Sequence, residues 1–159
     1  MKYFYITITS LLIAYLTVLV FIYFYQRNLL YHPSENNYQD DKAKFNYEEI
    51  KIKVDDKIRL KSWLINKDFH KFKTLLILHG NAGDLSNRIY KLNDLSKLNI
   101  NYLIIAYRGF SGNEGSPSED GLYLDARAAK KWLNSNGIDD NNIILYGESL
   151  GTAISIDLA

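Results

Sequence analysis

The chain opens on an unbroken apolar run. From Tyr3 to Tyr25 (YFYITITSLLIAYLTVLVFIYFY) it carries no charged side chain over 23 residues. At about 1.5 Å per residue a helix of that length reaches roughly 34 Å, enough for a hydrocarbon core of about 30 Å. Tyr3, Phe4 and Tyr5 crowd one end, and Tyr23, Phe24 and Tyr25 the other, as in an interfacial aromatic belt. A buried core helix is usually shorter and shows a polar face. A cleaved signal peptide has a shorter apolar run and a small-residue cleavage site, which YFYQRNLLYHP does not supply. The pattern therefore predicts a single-pass anchor over 1–26, with 27–45 as a polar juxtamembrane linker. Basic residues on the two flanks are too few to assign a side by the positive-inside rule.

Beyond the linker the period changes. Tyr47–Val54 alternates with Ile50, Ile52 and Val54 on one face, and Lys57–Ile65 alternates through Ile58, Leu60 and Ser62. Two such runs joined by a short acidic turn predict an antiparallel hairpin. Thr74–Leu78, Asn101–Tyr107 and Asn142–Tyr146 are continuous apolar runs, predicting strands buried on both faces. Helical periods separate them. Asp84 is placed to cap a helix carrying Leu85, Ile89, Leu92 and Leu95. Ser116, Pro117 and Glu119 form a helix-start signature for a segment running to about Asn136, with Leu122, Ala126, Ala129 and Leu133 as its stripe and Gly137 as its stop. Leu150, Ala153, Ile154 and Leu158 line a last helix. A hairpin followed by strand–helix alternation predicts an α/β fold: parallel strands with flanking helices, joined by right-handed crossovers.

Composition narrows the choices little. The net charge of +1 gives no basic surface of the kind nucleic acid requires, so no nucleic-acid partner is expected. The absence of cysteine excludes disulfides and thiolate metal sites.

The candidate chemistry sits at the end of the third apolar strand. Gly147-Glu148-Ser149-Leu150-Gly151 fits G-x-S-x-G. Alone the motif is weak, since chance supplies one in roughly 5% of chains this long. Its context, a buried strand before and an apolar-striped helix after, is what a sharp turn presenting a nucleophilic serine requires. The helix start would place the Leu150 N–H beneath a developing oxyanion. His79-Gly80, ending the first apolar strand, can aim the N–H of Asn81 or Ala82 at the same point. The His79 side chain reads as a loop-shaping group rather than a base.

Three stretches, LHGNAGDLSNR, AYRGFSGNEGSPSEDGLYLDARAAKKWL and ILYGESLGTAISIDLA, resemble the α/β-hydrolases. With the anchor and QRNLLYHPS they are similar to the membrane-anchored Bem46-like group of serine hydrolases. The resemblance covers nearly the whole chain. It implies Ser149 as nucleophile, Leu150 and Asn81 as oxyanion donors, and Gly147, Gly151, His79 and Gly80 as the frame of elbow and oxyanion loop. It implies cleavage of ester, thioester or related acyl bonds with no metal and no cofactor, on an acyl-type small molecule or a lipidated substrate at the bilayer. Arg108 would lie near the site in a structural role.

The family's triad runs Ser, then Asp or Glu, then His. The three histidines, His32, His70 and His79, do not stand where that base belongs, and Asp125 and Asp157 fall on helices, where surface or helix-end roles are expected. The domain over 46–159 is thus expected to stop after the elbow. Three readings follow: a hydrolase cut short, a half-enzyme completed by a second chain, or a non-enzymatic anchored binding or scaffold protein. The third apolar strand would then expose an apolar edge.

Overall fold

A computed structural model of the protein describes residues 1–34 and 42–159. They form two compact units, Met1–Tyr31 and His32–Ala159.

The first unit is one helix, α1 (Lys2–Leu30), with no buried residue. Its Thr7 and Thr17 hydroxyls donate to the carbonyls of Tyr3 and Ile13 at 3.0 and 2.9 Å, so these two polar groups of the apolar run are satisfied within the helix. The helix passes the expected boundary at residue 26. No glycine or proline interrupts it before Pro33, and Arg27 in the last turn complements the carbonyl end of the dipole. Tyr31 and His32 then turn extended, as the approach to a proline favours.

The expected linker over 27–45 is corrected accordingly. Residues 27–30 are helical, and His32–Ser34 belong to the globular unit. Lys42 and Lys44 are tied by backbone to the Asn93 side chain, at 3.1 and 2.7 Å. The remainder of that stretch, residues 35–41, lies outside the described residues.

The second unit is built on a five-stranded sheet. Its strands are β2 (Glu48–Lys53), β3 (Arg59–Ile65), β4 (Thr74–Leu78), β6 (Asn101–Ile105) and β7 (Ile143–Gly147), in the order β2-β3-β6-β4-β7. The hairpin β2–β3 is antiparallel, β3 joins β6 antiparallel, and β4 lies between β6 and β7 with both neighbours parallel. A separate two-residue ladder pairs β1 (His32–Pro33) with β5 (Ala82–Gly83) in parallel. Every residue of β4 and β6 is buried, as their continuous apolar runs require. Buried Asn101 is satisfied by staple bonds to the β3–β4 turn: its side chain accepts from Lys67 and Asp68 N–H groups and donates to the Asp68 and Phe72 carbonyls.

Three details differ from the sequence expectation. The helix α3 (Glu119–Ser135) starts two residues later than Ser116 suggests: Ser118 is the N-cap, its hydroxyl accepting from the Gly121 N–H. Pro117 stays in the preceding loop against Gly109, and a residue before proline is disfavoured in the helical region. Asp84 does cap with a reciprocal box, but its first turn is a tight 3₁₀ turn, Leu85–Arg88, before α2 (Ile89–Leu95). Finally, β7 is the outermost strand. Its residues are half-buried and Ile144 is 40% exposed, because only β4 flanks it among the described residues.

The helices α3 and α4 (Leu150–Leu158) pack on one another and are linked by an Arg127–Asp157 ion pair at 2.5 Å. The stripe of α3 is buried as its period predicts. In α4 the buried face is Gly151, Ile154 and Leu158. Ala153 is exposed, and so is Ile156, which corrects the expected stripe.

Candidate active site

The site forms where β4 and β7 end. After Gly147 the chain makes a sharp turn through Glu148 and Ser149 into α4. Ser149 itself sits at φ +52°, ψ −114°, a backbone conformation that L-residues rarely hold. Strain of this kind, on the order of 1–3 kcal/mol, persists only where surrounding structure over-determines it. Here it does. A Cβ on Gly151 would lie 1.9 Å from the Leu78 carbonyl oxygen, and one on Gly147 would meet Gly151 O at 2.5 Å. The elbow is thus pressed onto the end of β4 at a spacing only glycine permits. The Glu148 N–H donates to Leu78 O at 2.9 Å and closes the contact. The result leaves the Ser149 side chain exposed at the head of α4. Leu150 opens that helix, where the first N–H groups have no intrahelical acceptor.

The loop after β4 lies beside the elbow. An ideal Cβ on Gly80 would stand 3.5 Å from Ser149 Cβ and 3.4 Å from Glu148 O, so this backbone runs in van der Waals contact with the serine. His79 is buried against the Tyr107 and Phe110 rings, at 4.3 and 5.1 Å between centroids. Its Nδ1 lies 2.7 Å from Gly80 O, which makes Nδ1 the protonated nitrogen. Burial pushes its pKa down to about 4. The imidazole is therefore neutral at pH 7, and its buried Nε2 has no hydrogen-bond partner among the described residues. Two consecutive peptide groups of the loop are oriented. The Gly80 carbonyl is held by His79, and the Asn81 carbonyl accepts from the His32 N–H at 2.8 Å. In a trans peptide the following N–H points the opposite way, so the Asn81 N–H is turned away from the His79 ring.

β1 was not legible from sequence. Besides His32, Ser34 donates from its N–H to Gly83 O at 3.2 Å and from its hydroxyl to Asp84 Oδ2 at 2.9 Å. Its only signal is Pro33, a residue that strands accept at an edge. The Lys91–Glu148 ion pair, 2.7 Å, also lay hidden, since 57 residues separate its partners. Burial raises the Glu148 pKa, but Lys91 outweighs it and holds the carboxyl below its usual range. The pair fastens α2 to the elbow.

The acids and remaining histidines lie elsewhere. Asp125 is not a surface group: it is fully buried and takes the Arg108 guanidinium at 2.7 and 3.0 Å and the Arg108 N–H at 2.8 Å. Asp125 lies beside Ala126 on the inward side of α3 and finds its cation in the loop after β6. This pair sets the start of the glycine-rich loop, as a structural Arg108 would. Asp157 is exposed at the helix surface, where it pairs with Arg127. His70 sits exposed in the β3–β4 turn and His32 in β1. Among the described residues no cluster of three or more His, Asp or Glu side chains could hold a metal.

A serine on a strained strand–turn–helix elbow thus stands beside a loop with oriented peptides, on a mixed α/β sheet. No family model matches the chain. Individual proteins do. The chain is 35% identical to the fission-yeast protein bem46 over 153 residues, 90% of this chain and 51% of that one. It is 33% identical over 156 residues to a protein of Saccharomyces cerevisiae described as an uncharacterized membrane protein, covering 93% and 55%. Among solved structures, an α/β-hydrolase of Vibrio vulnificus aligns with a TM-score of 0.62 at 33% identity, covering 71% of this chain and 39% of that one. The Pyrococcus furiosus esterase Pf2001 aligns at 0.62 and 25%, covering 80% and 50%. The chain belongs to the α/β-hydrolases, and within them to the Bem46-like proteins. It spans about half the length of the curated relatives it matches.

Proposed function

We propose that this chain carries the nucleophile half of a membrane-anchored serine hydrolase acting on ester or thioester bonds of acyl-type substrates. The observation that carries the reading is Ser149, exposed at the head of α4 in a conformation that costs energy and that the glycine contacts enforce. Ser149 Oγ attacks the acyl carbonyl. The N–H groups of Leu150 and Asn81 stabilise the oxyanion, and the alcohol or thiol leaves. Water then releases the acyl group from the serine. Among the described residues no hydrogen bond joins a histidine to Ser149, and His79, enclosed and with its pKa held down at about 4, is unsuited to take its proton. The base and the acid that orients it are therefore assigned to residues outside these 159, in the same protein or in a second chain. The open outer edge of β7 is where a further strand would add. α1, long, apolar and without a buried residue, is the anchor. A non-catalytic binding role is the competing reading, favoured by the missing Ser–His contact.

Labelling decides between them. In native membranes containing the chain, a fluorophosphonate probe is expected to modify Ser149, and Ser149→Ala is expected to abolish the label. A folded wild-type chain that stays unlabelled would overturn the hydrolase reading and leave the binding role.

A further inference from the structure

The elbow carries a carboxylate directly before its serine. Glu148 and Ser149 are consecutive, so their Cα atoms stand about 3.8 Å apart. An anion there opposes any negative charge that develops at Ser149. The turn does not need the Glu148 side chain for its shape. Its backbone is held by the Glu148 N–H to Leu78 O and the Gly151 N–H to Glu148 O, both at 2.9 Å, and by the glycine contacts with the end of β4. Helix α2 likewise buries Ile89 and Leu92 on its own account.

The surroundings of the carboxylate cancel its charge. Lys91 Nζ meets Glu148 Oε2 at 2.7 Å, and the same ammonium lies 5.5 Å from the centroid of the Tyr146 ring. Three elements thus converge on the pair: α2 with Lys91, β7 with Tyr146 and the elbow with Glu148. Both side chains are largely enclosed, at 23% and 30% exposure, so solvent screens them less than a surface pair. Burial pushes each toward its neutral form, yet each ends shifted toward its charged form because it binds the other. Two more groups reach the carboxylate as charges: Arg88, from the 3₁₀ turn, and His79, from the loop after β4. Arg88 directs a hydrogen bond to the Ala82 carbonyl at 2.7 Å, and His79 is neutral at pH 7. Lys91 is therefore the cation in contact. Beyond burial and its bond to Gly80, His79 feels the charges of Arg88, Glu148 and Asp84. The field of Glu148 thus extends to the loop whose Gly80 backbone touches the serine.

We propose that Lys91 is a positioning residue for the nucleophile: by neutralising Glu148 it lets negative charge gather at Ser149 with no like charge beside it. The proposal rests on the reading of Ser149 as a nucleophile. Lys91 acts through Glu148, not on the substrate, and the pair has this role in addition to fastening α2 to the elbow.

The chain contains no cysteine, so Ser149→Cys installs a single thiol at the nucleophile position. A free thiol titrates near 8.5. The full chain is placed in phosphatidylcholine nanodiscs, and the pH dependence of thiol alkylation by iodoacetamide is read by mass spectrometry. Over about pH 6 to 9 Lys91 and Glu148 keep their charges while the thiol titrates. In this background Lys91→Met is expected to raise the midpoint by about half a pH unit or more, the reach of one unpaired charge in partly solvated surroundings. Glu148→Gln is expected to lower it. The two together should return it to near the parent value, and Lys91→Arg should leave it there. Added salt should shrink each shift. Midpoints that stay put, or that move the same way in both single variants, would overturn the proposal and leave the pair as a clasp. If Lys91→Met unfolds the chain, Glu148→Gln decides: a lowered midpoint supports the proposal and an unchanged one overturns it. The thiol titrates without a base, so this outcome is independent of fluorophosphonate labelling at Ser149, whose failure would overturn the hydrolase reading instead.

Discussion

At the scale of single residues, Ser149 and His79 show opposite uses of a costly environment. Ser149 holds a positive φ that favours glycine, so the site stores backbone strain where chemistry is proposed. Ser149→Gly is expected to raise the stability of the globular unit by about 1 kcal/mol, read by chemical denaturation, while removing the fluorophosphonate label. His79 is held neutral by burial, with its pKa lowered from 6.5 to about 4. Above pH 6.5 both folded and unfolded states are neutral at this position, and it adds no pH dependence. Between pH 6.5 and 4 the unfolded chain takes up the proton and the folded one does not, so stability falls with pH. At about 1.4 kcal/mol per pH unit the loss approaches roughly 3 kcal/mol by pH 4. Denaturation midpoints measured from pH 7 to 4 should show this slope, and His79→Gln should flatten it.

At the scale of elements, the join between β6 and α3 depends on one buried carboxylate. Burial pushes the Asp125 pKa upward, only partly offset by the Arg108 side-chain and backbone bonds. Removing the acid leaves Arg108, itself mostly enclosed, without its partner. Asp125→Ala is expected to cost roughly 3–5 kcal/mol, the range for breaking a buried pair from one side. Thermal unfolding would read the loss. Asp125→Asn, which keeps two acceptor positions' worth of volume but only one oxygen, should lose less. The same element shows where local signals compete. Two serines flank Pro117, and both could cap. Ser118 does so because Pro117 is needed in the loop against Gly109, a tertiary demand invisible in the helix-start signature.

At the scale of the whole molecule, the order of elements and the candidate nucleophile were legible along the chain. The continuous apolar runs of β4 and β6, the alternating hairpin and the glycines around Ser149 are local patterns, and each follows from burial or backbone geometry within a few residues. The uncharged run of α1 is of the same kind, and its length alone makes it a candidate to cross a bilayer. What depended on the tertiary structure were meetings between distant segments. The pairing of β1 with β5, the salt bridge from Lys91 to Glu148 and the burial of Asp125 under Arg108 each join residues of separate elements. So did the half-exposed state of β7, whose apolar run reads as buried until strand order makes it the outermost strand. A sequence fixes periodicity and turn chemistry because these act over one or two turns of chain. Which charge meets which, and which strand is left at an edge, is set by three-dimensional packing over the whole unit.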